Sequence, residues 1–259
     1  MMLKNKNIVV IGGTTGMGLS AVNAFIRAGA AVVALGYEET ETDTASMKGK
    51  KIVLTADARQ EHSAQQAIHT CLESFGSFDG LFHVAGGSGR RFGDGPLHEL
   101  SLDGWNKTME LNLTSVMLSN QAAVKAFLQQ KKGGSILNMG SVLATSPSPV
   151  HFSTHAYATA KAAINGFSRS IAAYYAQDNI RVNVLAPGLV QTPMAVRAAG
   201  NEMIMDFIKS KQPLDGGRIG HPQDLDGAAC YFMSDYSAFT TGQILCVDGG
   251  WSLCEGQYP

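Results

Sequence analysis

The hydrophobic positions of this chain fall into seven short runs, rich in valine and isoleucine, that alternate with longer segments of helical pattern. The runs are apolar at consecutive positions, as is typical of strands in a parallel sheet covered on both faces. They predict strands at 7–13, 30–36, 51–57, 80–86, 134–141, 180–188 and 243–250. The alternation predicts an α/β, doubly wound fold, with helices on both faces of a seven-stranded, mostly parallel sheet.

The intervening segments predict five helices, at 18–28, 60–75, 103–131, 154–177 and 223–234. Gly29 and Gly76 follow the first two as C-terminal signals, and Thr154 is the expected N-cap of the fourth. The segment 189–220 is a long excursion before the last helix, and we expect it to form a lid over a substrate. No linker composition interrupts the pattern, so a single domain is predicted over 1–259.

Composition and charge narrow the functional classes. The 259 residues are 45% hydrophobic, and 20 Lys and Arg against 21 Asp and Glu give a net charge of -1, so no basic field is available for a nucleic acid. No apolar stretch reaches 18 residues, and we expect no membrane partner. The four cysteines have neither zinc-site nor disulfide spacing. They fit buried thiols in a reducing compartment, and we expect a cytoplasmic protein without a metal.

The first predicted strand runs into a glycine-rich turn, IGGTTGMGLSAV, that places Gly12, Gly16 and Gly18 where a helix begins. Such glycines let the backbone approach a phosphate, whose charge is favoured by the N–H groups of the helix. The alternative is a tight strand-to-helix connection without a ligand.

Tyr157 and Lys161 are four residues apart in the helical stretch THAYATAKAAI, so they lie on one helix face. An isolated pair of this kind usually packs its ring on the core and extends its lysine to water. Other motifs in the chain must therefore decide between packing and chemistry.

Together, the glycine turn and the tyrosine–lysine pair resemble those of the short-chain dehydrogenase/reductase family. The resemblance covers nearly the whole chain and adds Asn112 in ELNLTS, Ser141 in NMGSVLA, the segment NVLAPGLVQTPM and a late VDGG. Where the family has Asn-Ala-Gly after its fourth strand, this chain has Val84-Ala85-Gly86. The resemblance implies a Rossmann-type fold and an NAD(P)-dependent oxidoreductase that acts on a ketone or secondary alcohol.

The resemblance also implies roles for individual residues. Tyr157 is the general acid/base, Ser141 binds the substrate oxygen, Lys161 also holds the nicotinamide ribose and Asn112 sustains a proton relay. Because a phenol is a weak acid, we expect the Lys161 ammonium to lower the pKa of Tyr157. The alternatives are a strand-end cap for Ser141 and a helix kink for Asn112. The implied cofactor contacts are Gly12, Thr14, Thr15, Gly16, Met17, Gly18, Gly36, Tyr37, Asp57, Ala58, Ala85, Gly86, Tyr157, Lys161, Pro187, Gly188, Val190 and Thr192.

The residue that ends the second strand helps to decide between NAD and NADP, because a carboxylate there bonds a free ribose hydroxyl and repels a 2′-phosphate. That residue is Gly36, and neither Tyr37 nor Thr15 supplies a positive charge. Acidic residues crowd the adjoining loop: Glu38, Glu39, Glu41 and Asp43. We therefore favour NAD(H) over NADP(H), although these acids are as well explained as solvent-facing.

Candidate substrate contacts lie in two loops. A stretch inserted relative to the family, within 142–156, carries His151, Phe152 and His155, and such loop histidines are more often solvated than functional. Arg90 and Arg91 follow the fourth strand and can clamp a carboxylate or phosphate, or pair with Asp94, or face water. Met194 adds an apolar contact from the predicted lid.

Two further functions and an assembly state complete the expectations. A catalytically silent dinucleotide-binding or assembly protein has the same fold, but the complete set of four catalytic residues argues against it. Enoyl reduction is disfavoured because such relatives place more residues between tyrosine and lysine. The resemblance implies a homotetramer that assembles through the helices at 103–131 and 154–177.

Overall fold

The strands of the sheet form where the sequence predicts them, although most end at or before the glycines and polar residues of the predicted runs. The computed structural model describes residues 1–37 and 50–256. Its strands are β1 (Asn7–Ile11), β2 (Ala31–Gly36), β3 (Lys51–Thr55), β4 (Gly80–His83), β5 (Gly134–Met139), β6 (Ile180–Pro187) and β7 (Ile244–Val247). All six neighbouring pairs are parallel, in the order β3-β2-β1-β4-β5-β6-β7. The fold prediction is confirmed.

The strand order reverses between β1 and β4, and ligands of such sheets bind at the carboxyl ends of the strands at this point. Successive residues of β1 point to opposite faces, and Val9 and Val10 belong to two different hydrophobic clusters. The Val10 cluster includes Phe25 and Phe232, while the Val9 cluster includes Phe127. Both faces of the sheet are therefore covered, as the apolar runs predict.

The helices are α1 (Gly16–Arg27), α2 (Glu61–Phe75), α3 (Leu102–Met109), α4 (Ser115–Gln130), α5 (His155–Tyr175), α6 (Val196–Ala199), α7 (Glu202–Lys211) and α8 (Asp226–Met233). The prediction of one continuous helix at 103–131 was wrong, because a π-helical turn at Glu110–Thr114 separates α3 from α4. The predicted lid segment holds α6 and α7. A cluster around Trp251 joins α7 to the inserted stretch through Phe152.

Candidate active site

The glycine turn between β1 and α1 is shaped for close approach of a ligand. Gly12 has a positive φ of 83°, which favours glycine, and a Cβ atom there would lie 2.6 Å from the Ala85 nitrogen. α1 begins at Gly16 with neither a side-chain cap nor an acidic residue in its first turn. The N–H groups at this helix start are thus not bonded by a capping side chain and suit a phosphate. This geometry favours the phosphate cradle over a simple tight connection.

A cavity of about 330 Å³ opens at this turn. It is lined by most of the residues predicted to bind the cofactor: Gly12, Thr14, Thr15, Gly16, Met17, Gly36, Tyr37, Asp57, Ala58, Ala85, Gly86 and Thr192. Gly18 does not line it, but a Cβ atom on Gly18 would collide with the Gly12 carbonyl oxygen. Gly18 thus permits the close packing of α1 on the turn, and the cavity with its glycine cradle fits a dinucleotide.

Gly36, at the end of β2, lies against the side chain of Thr14. A Cβ atom on Gly36 would collide with the side chain of Thr14, so a carboxylate at this position requires Thr14 to move.

The smaller cavity also contains a cation that was not predicted, Arg59, whose Nη2 and Nε lie 2.6 and 3.0 Å from Asp57 Oδ2. The sequence prediction that Gly36, Tyr37 and Thr15 supply no positive charge stands, but it did not identify Arg59. The acids Glu38, Glu39, Glu41 and Asp43 lie outside the described residues.

The ion pair between Asp57 and Arg59 shifts the pKa of both side chains. Hydrogen bonding to Arg59 lowers the pKa of Asp57, and the same bond raises the pKa of Arg59. The Asp57 carboxylate thus compensates the guanidinium charge within the cavity. The only sequence signal for this pair is the two-residue spacing after β3.

A larger cavity of about 520 Å³ adjoins the first. It is lined by the predicted residues Ser141, Tyr157, Pro187, Gly188 and Val190. Both cavities share Gly86, Met17 and Thr192, so they meet along the switch point of the sheet. A dinucleotide in the smaller cavity can therefore reach a substrate in the larger one.

The tyrosine and lysine of α5 lie close together, but the lysine is held by the backbone. Lys161 is buried, and its Nζ donates a hydrogen bond of 2.7 Å to the Met139 carbonyl oxygen and lies 5.6 Å from the centre of the Tyr157 ring. Burial lowers the pKa of Lys161 to about 8. The lysine thus packs inward beside the tyrosine and does not extend to water.

The expectation that Lys161 lowers the pKa of Tyr157 was wrong for the protein alone. Burial raises the pKa of Tyr157, and interaction with the Ser141 hydroxyl lowers it only in part. The reason is that the surrounding protein disfavours the phenolate. The Lys161 ammonium points to the Met139 carbonyl, where its charge is partly solvated by that dipole.

The start of α5 is capped by Asp94 and not by Thr154. Thr154 makes no side-chain cap, whereas the Asp94 carboxylate accepts hydrogen bonds from the backbone N–H groups of Ala156, at 3.0 Å, and Tyr157, at 2.8 Å. Asp94 is buried, at 3% exposure. An acid from the loop after β4 therefore positions the residue predicted to be catalytic, and its carboxylate is not paired with Arg90 or Arg91.

Asn112 lies in the π-helical turn, and its side chain bonds the backbone of the loop after β4 and of α3. Its Oδ1 accepts from the Gly87 N–H at 3.0 Å, and its Nδ2 donates to the carbonyl oxygens of Gly87 and Thr108 at 2.9 and 3.0 Å. A Cβ atom on Gly86 would lie 2.8 Å from Asn112 Oδ1 and 3.6 Å from Lys161 Nζ. The alternative of a kink held by a side-chain amide thus describes this contact set.

The predicted substrate contacts divide into two groups. Arg90, Arg91, Phe152 and Met194 line the larger cavity. His151 and His155 do not line it. The His151 ring lies 4.9 Å from the Phe207 ring, and its backbone oxygen accepts a hydrogen bond from Arg90 Nη2 at 3.3 Å.

Sequence reasoning missed several residues of this cavity, among them a cation and a large aromatic residue. Arg197 of α6 and Trp251 both line it, and Trp251 packs edge-on against Phe152, with ring centres 5.6 Å apart. Arg197 falls within the predicted lid, but no local motif distinguishes it from any other helical arginine. Trp251 directly follows the VDGG motif, which was its only signal.

Two searches of the described residues bear on other functions. Across 1–37 and 50–256, no helix is long and apolar enough to cross a membrane. In the same part of the chain, no three His, Cys, Asp or Glu side chains converge in a group that could hold a metal ion.

Comparisons with known proteins agree with this geometry. A family model described as Enoyl-(Acyl carrier protein) reductase matches residues 12–252. The chain is 34% identical over 253 residues to 2,5-dichloro-2,5-cyclohexadiene-1,4-diol dehydrogenase of Sphingobium indicum, covering 96% of this chain and 98% of that protein. It is also 34% identical over 256 residues to 3alpha-hydroxysteroid dehydrogenase of Mediterraneibacter gnavus, with 96% and 98% coverage.

A solved structure has a similar fold. A short-chain type dehydrogenase/reductase from Mycobacterium ulcerans superimposes with a TM-score of 0.88 at 25% identity, covering 98% of this chain and 92% of that one. Both relatives are named as dehydrogenases. The chain belongs to the short-chain dehydrogenase/reductase family and is an NAD(P)-dependent oxidoreductase of this kind.

Proposed function

We propose that the larger cavity is the place where a ketone and a secondary alcohol are interconverted, with Tyr157 as the general acid/base. The observation that carries this proposal is the placement of Tyr157 and Ser141 on one cavity wall, beside the buried Lys161 and next to the dinucleotide cavity. A bound nicotinamide would supply or accept the hydride and, when oxidised, would add a positive charge to the site.

The residues of the chain would divide the remaining work. Ser141 donates a hydrogen bond to the substrate oxygen, and Tyr157 gives a proton to that oxygen in reduction or takes it in oxidation. The raised pKa of Tyr157 keeps its hydroxyl protonated, as reduction requires, but also makes the phenol a weaker acid. The base role needs more positive charge near the phenolate than the protein supplies. Lys161 holds a proton at Nζ next to this group, and Asn112 keeps the loop after β4 against the helix.

The test is the substitution Tyr157→Phe, followed by the change in NAD(P)H absorbance with a panel of ketones. Loss of a positioned acid typically lowers the rate by about 10²–10⁴-fold, and we expect kcat to fall by this factor while cofactor affinity stays within about threefold. Tyr236→Phe is the control, since Tyr236 is exposed and lines neither cavity. Equal activity of the two variants would refute the assignment of Tyr157.

For the cofactor, we propose a preference for NAD(H) over NADP(H). The support is that the Arg59 charge is already compensated by Asp57, which weakens its attraction for a 2′-phosphate. Calorimetry with NADH and NADPH on the full chain tests this directly, and tighter binding of NADPH would overturn it.

Enoyl reduction is the second candidate, because the family model carries that description. The spacing of four residues between Tyr157 and Lys161 argues for carbonyl chemistry. Parallel assays with ketones and with a 2-enoyl thioester decide between them. Turnover of the thioester alone would replace the carbonyl proposal.

We also propose a cytoplasmic homotetramer. Large apolar side chains are exposed on the two long helices, among them Met117 and Leu128 on α4 and Tyr174 on α5. The four cysteines are unpaired, as in a reducing compartment. Light scattering after size exclusion should give four times the protomer mass of 27.4 kDa, and a monomer would contradict the proposal.

A further inference from the structure

The charged residues that line the larger cavity are all arginines. Arg90, Arg91 and Arg197 border it, and no aspartate or glutamate of the described residues does. The chain as a whole has nearly equal numbers of both signs, 20 basic and 21 acidic residues. The sign of charge around this cavity is therefore a local property of the site.

Arg90 and Arg197 reach the cavity from two distant segments. Arg90 lies in a short 3₁₀ helix, Gly89–Phe92, and its Nη2 donates to the His151 carbonyl oxygen of the inserted stretch at 3.3 Å. Arg197 comes from α6 in the 189–220 segment. The inserted stretch thus holds one guanidinium at the cavity while the opposite segment brings the second.

Neither Arg90 nor Arg197 forms an ion pair with a carboxylate of the described residues. Outside the cavity, Arg27, Arg59 and Arg218 each lie within 2.6–3.5 Å of a carboxylate. Among residues 1–37 and 50–256, no carboxylate lies within ion-pair distance of Arg90 or Arg197, and the nearby Asp94 is engaged by the backbone N–H groups at the start of α5.

The two guanidinium groups also repel each other. Burial lowers the pKa of Arg90, and the charge of Arg197 lowers it further, while Asp94 acts in the opposite direction. Both side chains are exposed, so water solvates their charges, but two guanidinium groups at one cavity favour an anion over a cation there. Part of the cavity wall is apolar, with Phe152 and Trp251 in edge-on contact.

We propose that the substrate is a ketone or alcohol with an apolar body and an anionic group, a carboxylate, sulfonate or phosphate, that Arg90 and Arg197 bind together. This inference rests on the proposed function and names the substrate class of the same cavity. Planar guanidinium groups bind such oxyanions through paired, charge-assisted hydrogen bonds. The catalytic oxygen then lies at Tyr157 and Ser141, while the anion stays at the arginines.

The experiment compares a matched pair of ketones, 4-acetylbenzoate and the neutral 4-acetylbenzamide, by calorimetry on the full-length protein with saturating NADH. We expect about tenfold tighter binding of the carboxylate, corresponding to one good ion pair. Arg90→Gln and Arg197→Gln should each reduce this preference, the ratio of the two affinities within one variant, by about fivefold to tenfold. Lys209→Gln is the control, since Lys209 pairs with Asp206 on α7 and does not line the cavity.

Two further anionic ketones compare the oxyanions, and a turnover assay separates this inference from the proposed function. 4-Acetylbenzenesulfonate and 4-acetylphenyl phosphate show which oxyanion the arginines bind best. Equal binding of acid and amide by the wild type, a preference that survives both substitutions, or no saturable binding of any of the three anions would overturn the inference. Turnover of the amide without a charge preference would refute this inference alone. An arginine-dependent charge preference without turnover of any ketone would refute the proposed function alone.

Discussion

Removal of the Asp94 carboxylate is the sharpest test of how the site is held together. Asp94 is buried and accepts two hydrogen bonds at the start of α5, from Ala156 and from Tyr157. In Asp94→Ala both N–H groups lose a charged acceptor that the fold does not replace. Asp94 thereby couples the loop after β4 to the residue that we assign as the acid/base.

The magnitude follows from these two contacts. Hydrogen bonds to a charged group contribute about 1.5–3 kcal/mol each, whereas measured N-cap losses are about 0.5–2 kcal/mol because water enters the truncated site. We expect a loss of about 3 kcal/mol for Asp94→Ala, which lowers Tm by about 6–12 °C in a domain of this size. Asp94→Asn keeps one acceptor, so about half of this loss is expected.

The assay is thermal unfolding by circular dichroism at fixed protein concentration, together with kcat measured well below Tm. The control is Asp103→Asn, an exposed acid in the first turn of α3 that pairs with Lys107, for which less than about 1 kcal/mol is expected. A fall in kcat of about tenfold, partly rescued in Asp94→Asn, marks a positioning role. If Asp94→Ala melts like the control and keeps full kcat, the argument from the cap is wrong.

Three further outcomes follow from the charges of the site. Burial, with a smaller effect of Lys161, lowers the pKa of His83 to about 3, so below about pH 6.5 the unfolded chain binds a proton that the folded chain does not, and stability falls on acidification. In urea unfolding, His83→Asn should lose about 3 kcal/mol less free energy of unfolding than the wild type between about pH 6.5 and about pH 4.5. An equal loss in both proteins would contradict this. Lys161 has a pKa of about 8 in the fold and about 10.5 when unfolded, so it raises stability as pH rises between these values, and Lys161→Met should abolish up to about 3 kcal/mol of that rise. Asp57→Asn leaves the Arg59 charge uncompensated and should raise the ratio of NADPH to NADH affinity by about tenfold, whereas a constant ratio counts against Arg59 as a neighbour of the ribose.

The fold could be predicted because its determinants are local in sequence. Consecutive apolar residues identified all seven strands, and glycines at 29 and 76 marked the ends of the first two helices. The glycine turn and the tyrosine–lysine pair are also local motifs, so their meeting at two adjoining cavities followed from the parallel order of the strands. The interruption at Glu110–Thr114 was foreseen only as the alternative of a kink at Asn112, because helical propensity continues through it, and the bonds of Asn112 to Gly87 and Thr108 reveal it.

What the sequence could not supply are pairings between distant segments. Asp94 caps a helix that begins 61 positions later, and a local rule chose Thr154 because that residue stands at the usual N-cap position. The direction of the Tyr157 pKa shift depends in the same way on burial and on where the Lys161 ammonium points. Neither property can be read from a spacing of four residues, because both depend on the packing of α5 against β5 and the loop after β4.

The loop after β4 links substrate recognition to the geometry of catalysis. It carries both Arg90 and Asp94, and a hydrogen bond of 3.1 Å from the Asp94 N–H to the Gly89 carbonyl oxygen closes it into a compact turn. Because Asp94→Ala detaches this loop from the start of α5, we expect kcat and the preference for an anionic ketone to fall together. Arg197 belongs to a different segment and contributes only to the preference, so Arg197→Gln should raise KM for the anion and leave Tm and kcat near the wild-type values. Equal effects of the two substitutions on kcat would mean that recognition and positioning are not separated in this way.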